Sequence, residues 1–230
     1  MLHLLRQVDK LKVQLLSIGS KVEEALHSAI HAIQDRDLEL ANAVIANDKV
    51  IDLAEIDLEE ECLHTLALHT PVAHDLRFVI ALLKINHDLE RIGDLAASIA
   101  KQASFLAQES RIDVLPYDLP GMGRIVQNML NKTLSALIDQ DKDLALEVRK
   151  LDDKVDEIHR GMYAKTIAAM KENPDQIDQY VHLQNVSRQL ERIADHAVNI
   201  AKDVIYMIDG EIVRHAKLQA QREAKATSEN

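Results

Sequence analysis

The sequence predicts an all-α protein of six helices in two mirrored halves, and three observations carry that prediction. Turn chemistry is scarce, with six Gly and four Pro in 230 residues. Strand formers are scarce too, with two Phe, four Tyr and no Trp against an abundance of Leu, Ala, Ile, Glu and Lys. Over long stretches the apolar residues alternate by four and three, the seam of helices packed lengthwise.

The first helix carries that seam through Leu4, Val8, Leu11, Leu15, Ile18, Val22, Ala25 and Ala29, and Asp35 and Arg36 interrupt it. A second runs from Asp37 to about Ala67 through Leu40, Val44, Ile51, Ala54 and Leu58, an imperfect seam with Asn47 in line. Thr70 followed by Pro71 reads as a third helix start, because Thr caps orphan amides and Pro lacks the donor that would go unpaired. From there Phe78, Leu82, Ile85, Leu89, Ile92, Ala96, Ile99, Ala103 and Leu106 keep the alternation unbroken. Between Glu109 and Gly123 the periodicity stops, and Pro116, Pro120, Gly121 and Gly123 mark a linker. The pattern then resumes through Val126, Met129, Thr133 and Ala136, through Leu144, Val148, Leu151, Val155, Ile158 and Met162, and after Pro174 through Leu183 to Met207. The expected organisation is a first helical unit at 1–108, a linker at 109–123, a second unit at 124–210 and a charged, Ala-rich tail at 211–230, a marginal helix or disordered segment.

Composition narrows the function. With 27 basic and 38 acidic residues the formal charge is −11, which repels nucleic acid and points toward cations or basic protein surfaces. The uncharged run from Val13 to Ser20 is far too short to span a bilayer, and Arg6, Asp9, Lys10 and Lys12 break the apolar stretch a secretion signal needs. Cys62 is alone, so no disulfide framework or cysteine-based zinc site is expected, in keeping with a cytoplasmic location. Gly-rich phosphate loops, nucleotide fingerprints and local nucleophile motifs are missing, so no catalytic residues are assigned and an enzyme is not expected.

The two halves can be matched residue by residue. Leu89-Glu90-Arg91-Ile92-Gly93-Asp94 returns 101 positions later as Leu190-Glu191-Arg192-Ile193-Ala194-Asp195. Asp37 to Ala41 similarly matches Asp141 to Ala145 at an offset of 104, and that offset places Asp48 and Asp52 on Asp152 and Asp156. Each half therefore carries two acidic i,i+4 pairs: Asp48 with Asp52 and Glu90 with Asp94, then Asp152 with Asp156 and Glu191 with Asp195. Residues four apart share a helix face, so each pair can offer two carboxylates to one ion. Glu90, Asp94, Glu191, Asp195, Asp152, Asp156 and Asp52 each sit one or two positions past a seam residue, which turns them to the helix flank as surface acids. If the second and third helices of each half are antiparallel neighbours, four carboxylates converge, a donor set that suits hard cations or iron. Most acidic i,i+4 pairs in so acidic a chain are solvated faces. The doubling of both pairs at matched heptad positions singles these out.

The run Pro71-Val72-Ala73-His74-Asp75-Leu76-Arg77, leading into Leu89 to Asp94, and the second motif Leu190 to Asp195 resemble the PhoU family of phosphate-signalling proteins that accompany a phosphate-specific ABC transporter. The resemblance covers nearly the whole chain and implies two tandem three-helix bundles, a cytoplasmic location and frequent homodimerisation. It also implies multinuclear iron or zinc clusters on the bundle surfaces, held by a Glu or Asp followed four residues later by Asp. That motif carries over onto all eight acids named above; Ala194 departs from the family's Gly, a change that affects packing rather than ligation. His196, turned by about 100° from its neighbour Asp195, is left out of the ligand set. The implied function is an adaptor that negatively regulates phosphate uptake and phosphate-starvation signalling, coupling the transporter ATPase subunit to a membrane sensor histidine kinase. Asp75 and Arg77 are candidates for partner contact; read alone, Asp75 favours the helix dipole and Arg77 a local pairing.

A competing reading is a di-iron carboxylate enzyme or iron store on a helical bundle, whose Glu-x-x-His spacing occurs at Glu24 with His27 and Glu61 with His64. The seam leaves Glu24 and His27 facing outward, whereas that chemistry projects ligands into the core. The repeat also places Asn128, Asn131 and Lys165 opposite Glu24, His27 and Glu61.

Overall fold

A computed structural model describes residues 2–110, 112, 115 and 117–210; Met1, Pro116 and the tail expected at 211–230 lie outside the described residues. Among the described residues six α-helices follow in order: α1 Leu2–Asp35, α2 Leu38–His69, α3 Ala73–Leu106, α4 Leu119–Asp139, α5 Lys142–Glu172 and α6 Ile177–Asp209, with a 3₁₀ turn Pro174–Gln176 before the last. α1, α2 and α3 pack into one bundle and α4, α5 and α6 into a second. The bundles join along α3 and α6, while α1 touches α4. A single hydrophobic core runs through both, from Leu11 and Leu15 to Val204 and Met207. No helix among the described residues is long and apolar enough to cross a membrane. Burial pushes the thiol of Cys62 up to about 12, so it is an inert core residue.

The duplication extends to the turns. Arg36 and Gln140, both at positive φ, end the first helix of each bundle. The amides of Asp37 and Asp141 then reach back to the carbonyls of Ala32 and Ala136 at 3.1 and 3.0 Å, and both carboxylates cap the next helix by accepting from the amides of Leu40 and Leu144. Three glycines set how closely neighbouring helices pack. A Cβ on Gly19 would meet the Leu134 side chain at 2.7 Å and one on Gly123 would meet Ile30 at 3.2 Å, so α1 and α4 approach through these two residues. The third is Gly93, at the site described below.

Two boundaries differ from the sequence reading. Thr70 does not cap the third helix: it ends α2 in the left-handed region at φ 42°, and α3 opens at Ala73 after Val72, which supplies no side-chain cap. Pro71 disfavours the right-handed region for its predecessor, which explains the displacement. The linker expected over 109–123 is shorter, since α4 begins at Leu119. Asp118 caps the amide of Gly121 at 2.8 Å, and Pro120 sits in the first turn, where its missing donor costs nothing.

Candidate functional site

α2 and α3 of the first bundle, and α5 and α6 of the second, lie side by side, and the eight sequence-predicted acids fall along those two grooves. In the first groove Asp48 and Asp52 of α2 meet Asp94 of α3, with one carboxylate oxygen from each lying within 4.8 Å of the other two. Glu90 lies near enough for the Asp94 charge to raise its carboxyl. These acids are half-buried rather than fully on the surface, because α2 approaches α3 closely at Gly93. A Cβ there would lie 3.3 Å from Ile51 and 3.8 Å from the Oδ1 of Asp48.

Asp48 Oδ1 and Glu90 Oε2 are buried atoms without hydrogen-bond partners, although the Arg91 guanidinium stands 3.5 Å from the latter. Arg91 also donates to Asp94 Oδ2 at 3.0 Å and so offsets part of the negative charge. Burial, then the charges of Asp52 and Asp94, raises the Asp48 carboxyl, with Lys101 opposing. Burial, then Asp94, raises Glu90, against Arg91 and His87. A set of carboxylates drawn together from two helices, with Asp48 and Glu90 each keeping a buried oxygen that has no hydrogen-bond partner, is a donor set that a multivalent cation would satisfy.

The second groove repeats the arrangement more loosely. Asp152 and Glu191 are half-buried while Asp156 and Asp195 are exposed, and among the described residues no three of these ligand atoms fall within the 4.8 Å that the first groove achieves. They still act on one another: burial first, then Asp195 and Asp156, pushes Asp152 up to about 6, with Lys202 opposing. Burial and Asp195 raise Glu191, opposed by His159 and Arg192. Lys202 stands 101 positions after Lys101, so each groove has the same opposing cation.

Sequence reasoning missed one position in each groove. Glu55 sits three residues past Asp52, and buried Asn86 of α3 donates to its carbonyl at 2.9 Å and its carboxylate at 3.3 Å. The repeat equivalents are His159 and Ser187, which share a hydrogen bond of 2.7 Å. The i,i+3 step from Asp52 was a signal for Glu55, but the change from Glu to His hid the correspondence.

Other predicted residues lie elsewhere. His196 does not join the quartet; its Nδ1 is 2.7 Å from Asp88 Oδ1 across the contact between the two bundles. Asp75 is half-buried beside His74. The Arg77 guanidinium packs near Gly210 at the carboxyl end of α6, where its charge complements the helix dipole. Glu24 and His27 point to solvent, and Glu61 is held by Lys10 and Gln7, so the Glu-x-x-His spacings do not converge in the core.

Fold and site together define a duplicated helical-bundle protein with a carboxylate cluster in one groove of each bundle. The chain belongs to the PhoU family: the PhoU domain model matches residues 15–103 and again 119–204, one copy per bundle. It is 38% identical over 223 residues to a phosphate-specific transport system accessory protein PhoU homolog of Aquifex aeolicus, covering 96% of this chain and 100% of that one. Identity to the homolog of the same description in Pseudomonas aeruginosa is 36% over 217 residues, 94% of this chain and 90% of the relative. The crystal structure of PhoU from Pseudomonas aeruginosa superposes with a TM-score of 0.87 at 35% identity, over 90% of this chain and 99% of that one. That of the phosphate transport system regulatory protein PhoU from Streptococcus pneumoniae gives 0.81 at 29% identity, over 91% and 99%.

Proposed function

We propose that this protein is an accessory regulator of phosphate transport, a metal-binding cytoplasmic adaptor that restrains phosphate uptake and phosphate-starvation signalling. The observation that carries the metal part is the first groove, where one carboxylate oxygen from each of Asp48, Asp52 and Asp94 lies within 4.8 Å of the other two, and where Asp48 keeps a buried Oδ1 without a hydrogen-bond partner. Asp48, Asp52, Glu90 and Asp94 would hold metal in the first groove, and Asp152, Asp156, Glu191 and Asp195 in the second. Iron or zinc, the ions the family resemblance implies, would supply positive charge that cancels carboxylate repulsion and ties α2 to α3 and α5 to α6. The chain's own residues do the rest: Asn86 and Ser187 hold Glu55 and His159 in place, and Lys101 and Lys202 offset part of the negative charge of the grooves.

The adaptor role rests on family membership, on the names of the relatives and on rigid bundles with outward-facing grooves. The partners proposed are the ATPase subunit of a phosphate ABC transporter, a membrane sensor histidine kinase and a second copy of the chain as a homodimer.

Two experiments test the reading. Deleting the protein is expected to leave phosphate-responsive transcription switched on in high phosphate; normal repression in a strain with no second copy would sink the regulatory role. Elemental analysis of purified protein is expected to find transition metal, most of it lost on replacing Glu90, Asp94, Glu191 and Asp195 by Ala with helical content retained. Undiminished metal in that variant would remove these residues from the site.

A further inference from the structure

The outer faces of α2 and α5 are repeat equivalents, yet they differ in a way the carboxylate grooves do not require. α2 exposes Val50, Leu53, Ile56, Leu63 and Leu68, with Leu53 63% and Leu63 52% exposed. At the offset of 104 the corresponding α5 residues are Lys154, Glu157, Arg160, Ile167 and Glu172, four of the five charged. α5 exposes Tyr163 and Ile167 among its large apolar side chains, fewer than α2, so its outer face is the closer of the two to that of an isolated surface helix. Leu53, Ile56 and Leu63 lie within about 80° of one another around the α2 axis, at 100° per residue, and form an apolar stripe beside the first carboxylate groove, with exposed Glu60 between Ile56 and Leu63.

Charge separates the two faces as well. α2 carries eight acidic residues and one Lys, whereas α5 carries seven acidic and seven basic. Asp57 and Glu60 are exposed and share the outward side of α2 with the stripe. An apolar stripe set among uncompensated acids is complementary to a helix with apolar residues along one side and Lys or Arg beside them. It is not complementary to an anionic lipid surface, which the same acids repel, nor to a second α2 face, whose acids would meet its own.

We infer that the outer face of α2 from Val50 to Leu68 is a docking surface for a basic amphipathic helix of a partner protein, and that α5 has no such surface. The surface is distinct from the carboxylate quartets and does not depend on their holding metal. Leu53, Ile56 and Leu63 supply the apolar contacts, and Asp57 and Glu60 set orientation and association rate.

The test uses the full chain and a synthetic helical peptide of Leu and Lys with Leu at i, i+3, i+4 and i+7. Binding is expected to shift the methyl resonances of Leu53, Ile56 and Leu63 and to leave Ile167 of α5 unmoved. The pair Leu53→Gln and Leu63→Gln, on exposed positions where folding is checked by circular dichroism, is expected to weaken binding by about tenfold or more. Asp57→Asn with Glu60→Gln is expected to flatten the salt dependence of binding. Equal shifts on α5, or unchanged affinity in the Gln pair, would overturn the inference. So would a wild-type dimer that the Gln pair converts to monomer in sedimentation, since the occupant would then be a second copy.

Discussion

In the first bundle Gly93 of α3 lies against Ile51 of α2; in the second the equivalent positions are Ala194 and Val155, both fully buried. One methyl has moved across the helix interface between the halves: Gly with Ile on one side, Ala with Val on the other. Around this exchange the eight acids stay in place. The duplicated element is therefore the set of acidic positions on paired helices, which converge more closely in the first groove than in the second, while neighbouring positions differ. Glu55 of the first bundle stands where the second has His159, and the apolar outer face of α2 where the second has the charged face of α5. The difference teaches which contacts the two grooves share and which belong to one bundle only.

The sharpest test of the shared part lies in the core. Leu89→Ala and Leu190→Ala remove repeat-equivalent side chains that are 0% and 1% exposed, and each is expected to cost about 2–5 kcal/mol. Because one core passes through α3 and α6, denaturant melts of both variants should remain single transitions. A first transition confined to the mutated half would break the picture of two bundles bound as one unit. Next in size is Gly93→Ala. Its Cβ would press on two Ile51 carbons at 3.3 Å, and a loss of about 1–2 kcal/mol is expected. Adding Ile51→Val, which recreates the second-bundle combination, should recover most of that loss; a double variant no better than the single would show that the methyl exchange is not compensatory. Asp37→Ala and Asp141→Ala should follow at about 1 kcal/mol each, equal within error, because the two caps have the same geometry.

What was legible in the sequence follows the same division. The four-three seam located all six helices because burial along one stripe is written into spacing. Asn47 spoiled the α2 seam only on paper, since it is exposed and Val44, Ile51 and Leu58 carry the packing. The four acidic pairs were readable through the repeat. Helix starts at Ala73 and Leu119 were not, because Thr70 with Pro71 read as the opening of a helix that begins only at Ala73, and Pro120 read as linker although it sits inside the first turn of α4. Glu55 and His159 were hidden by unlike chemistry. The pairing of Asp88 with His196, and of Lys84 with buried Asp203 at 3.6 Å, depends on the antiparallel contact of α3 with α6, which no local pattern encodes.

The smallest effect expected separates structural from ligand-holding roles of the acids. Folding raises Asp152 to about 6 from an ordinary value of 3.8. Between those values the folded chain binds more protons than the unfolded one, so stability of the metal-free protein falls as pH rises through that window, and the full penalty is present above about pH 6. Asp152→Asn removes the titration. The variant should match wild type near pH 3.5 and exceed it above pH 6 by about 0.5–1 kcal/mol, a figure discounted for the solvent screening of a half-exposed group. Asp48→Asn should act in the same direction in the first bundle. Adding metal should reverse both signs, because a cation stabilises the ionised groove and the Asn variants lose a donor. Thermal melts with and without metal across pH 3.5–7.5 measure this directly. A variant less stable than wild type in the metal-free state above pH 6 would mean that Asp152 serves the fold, and would take it out of the proposed ligand set.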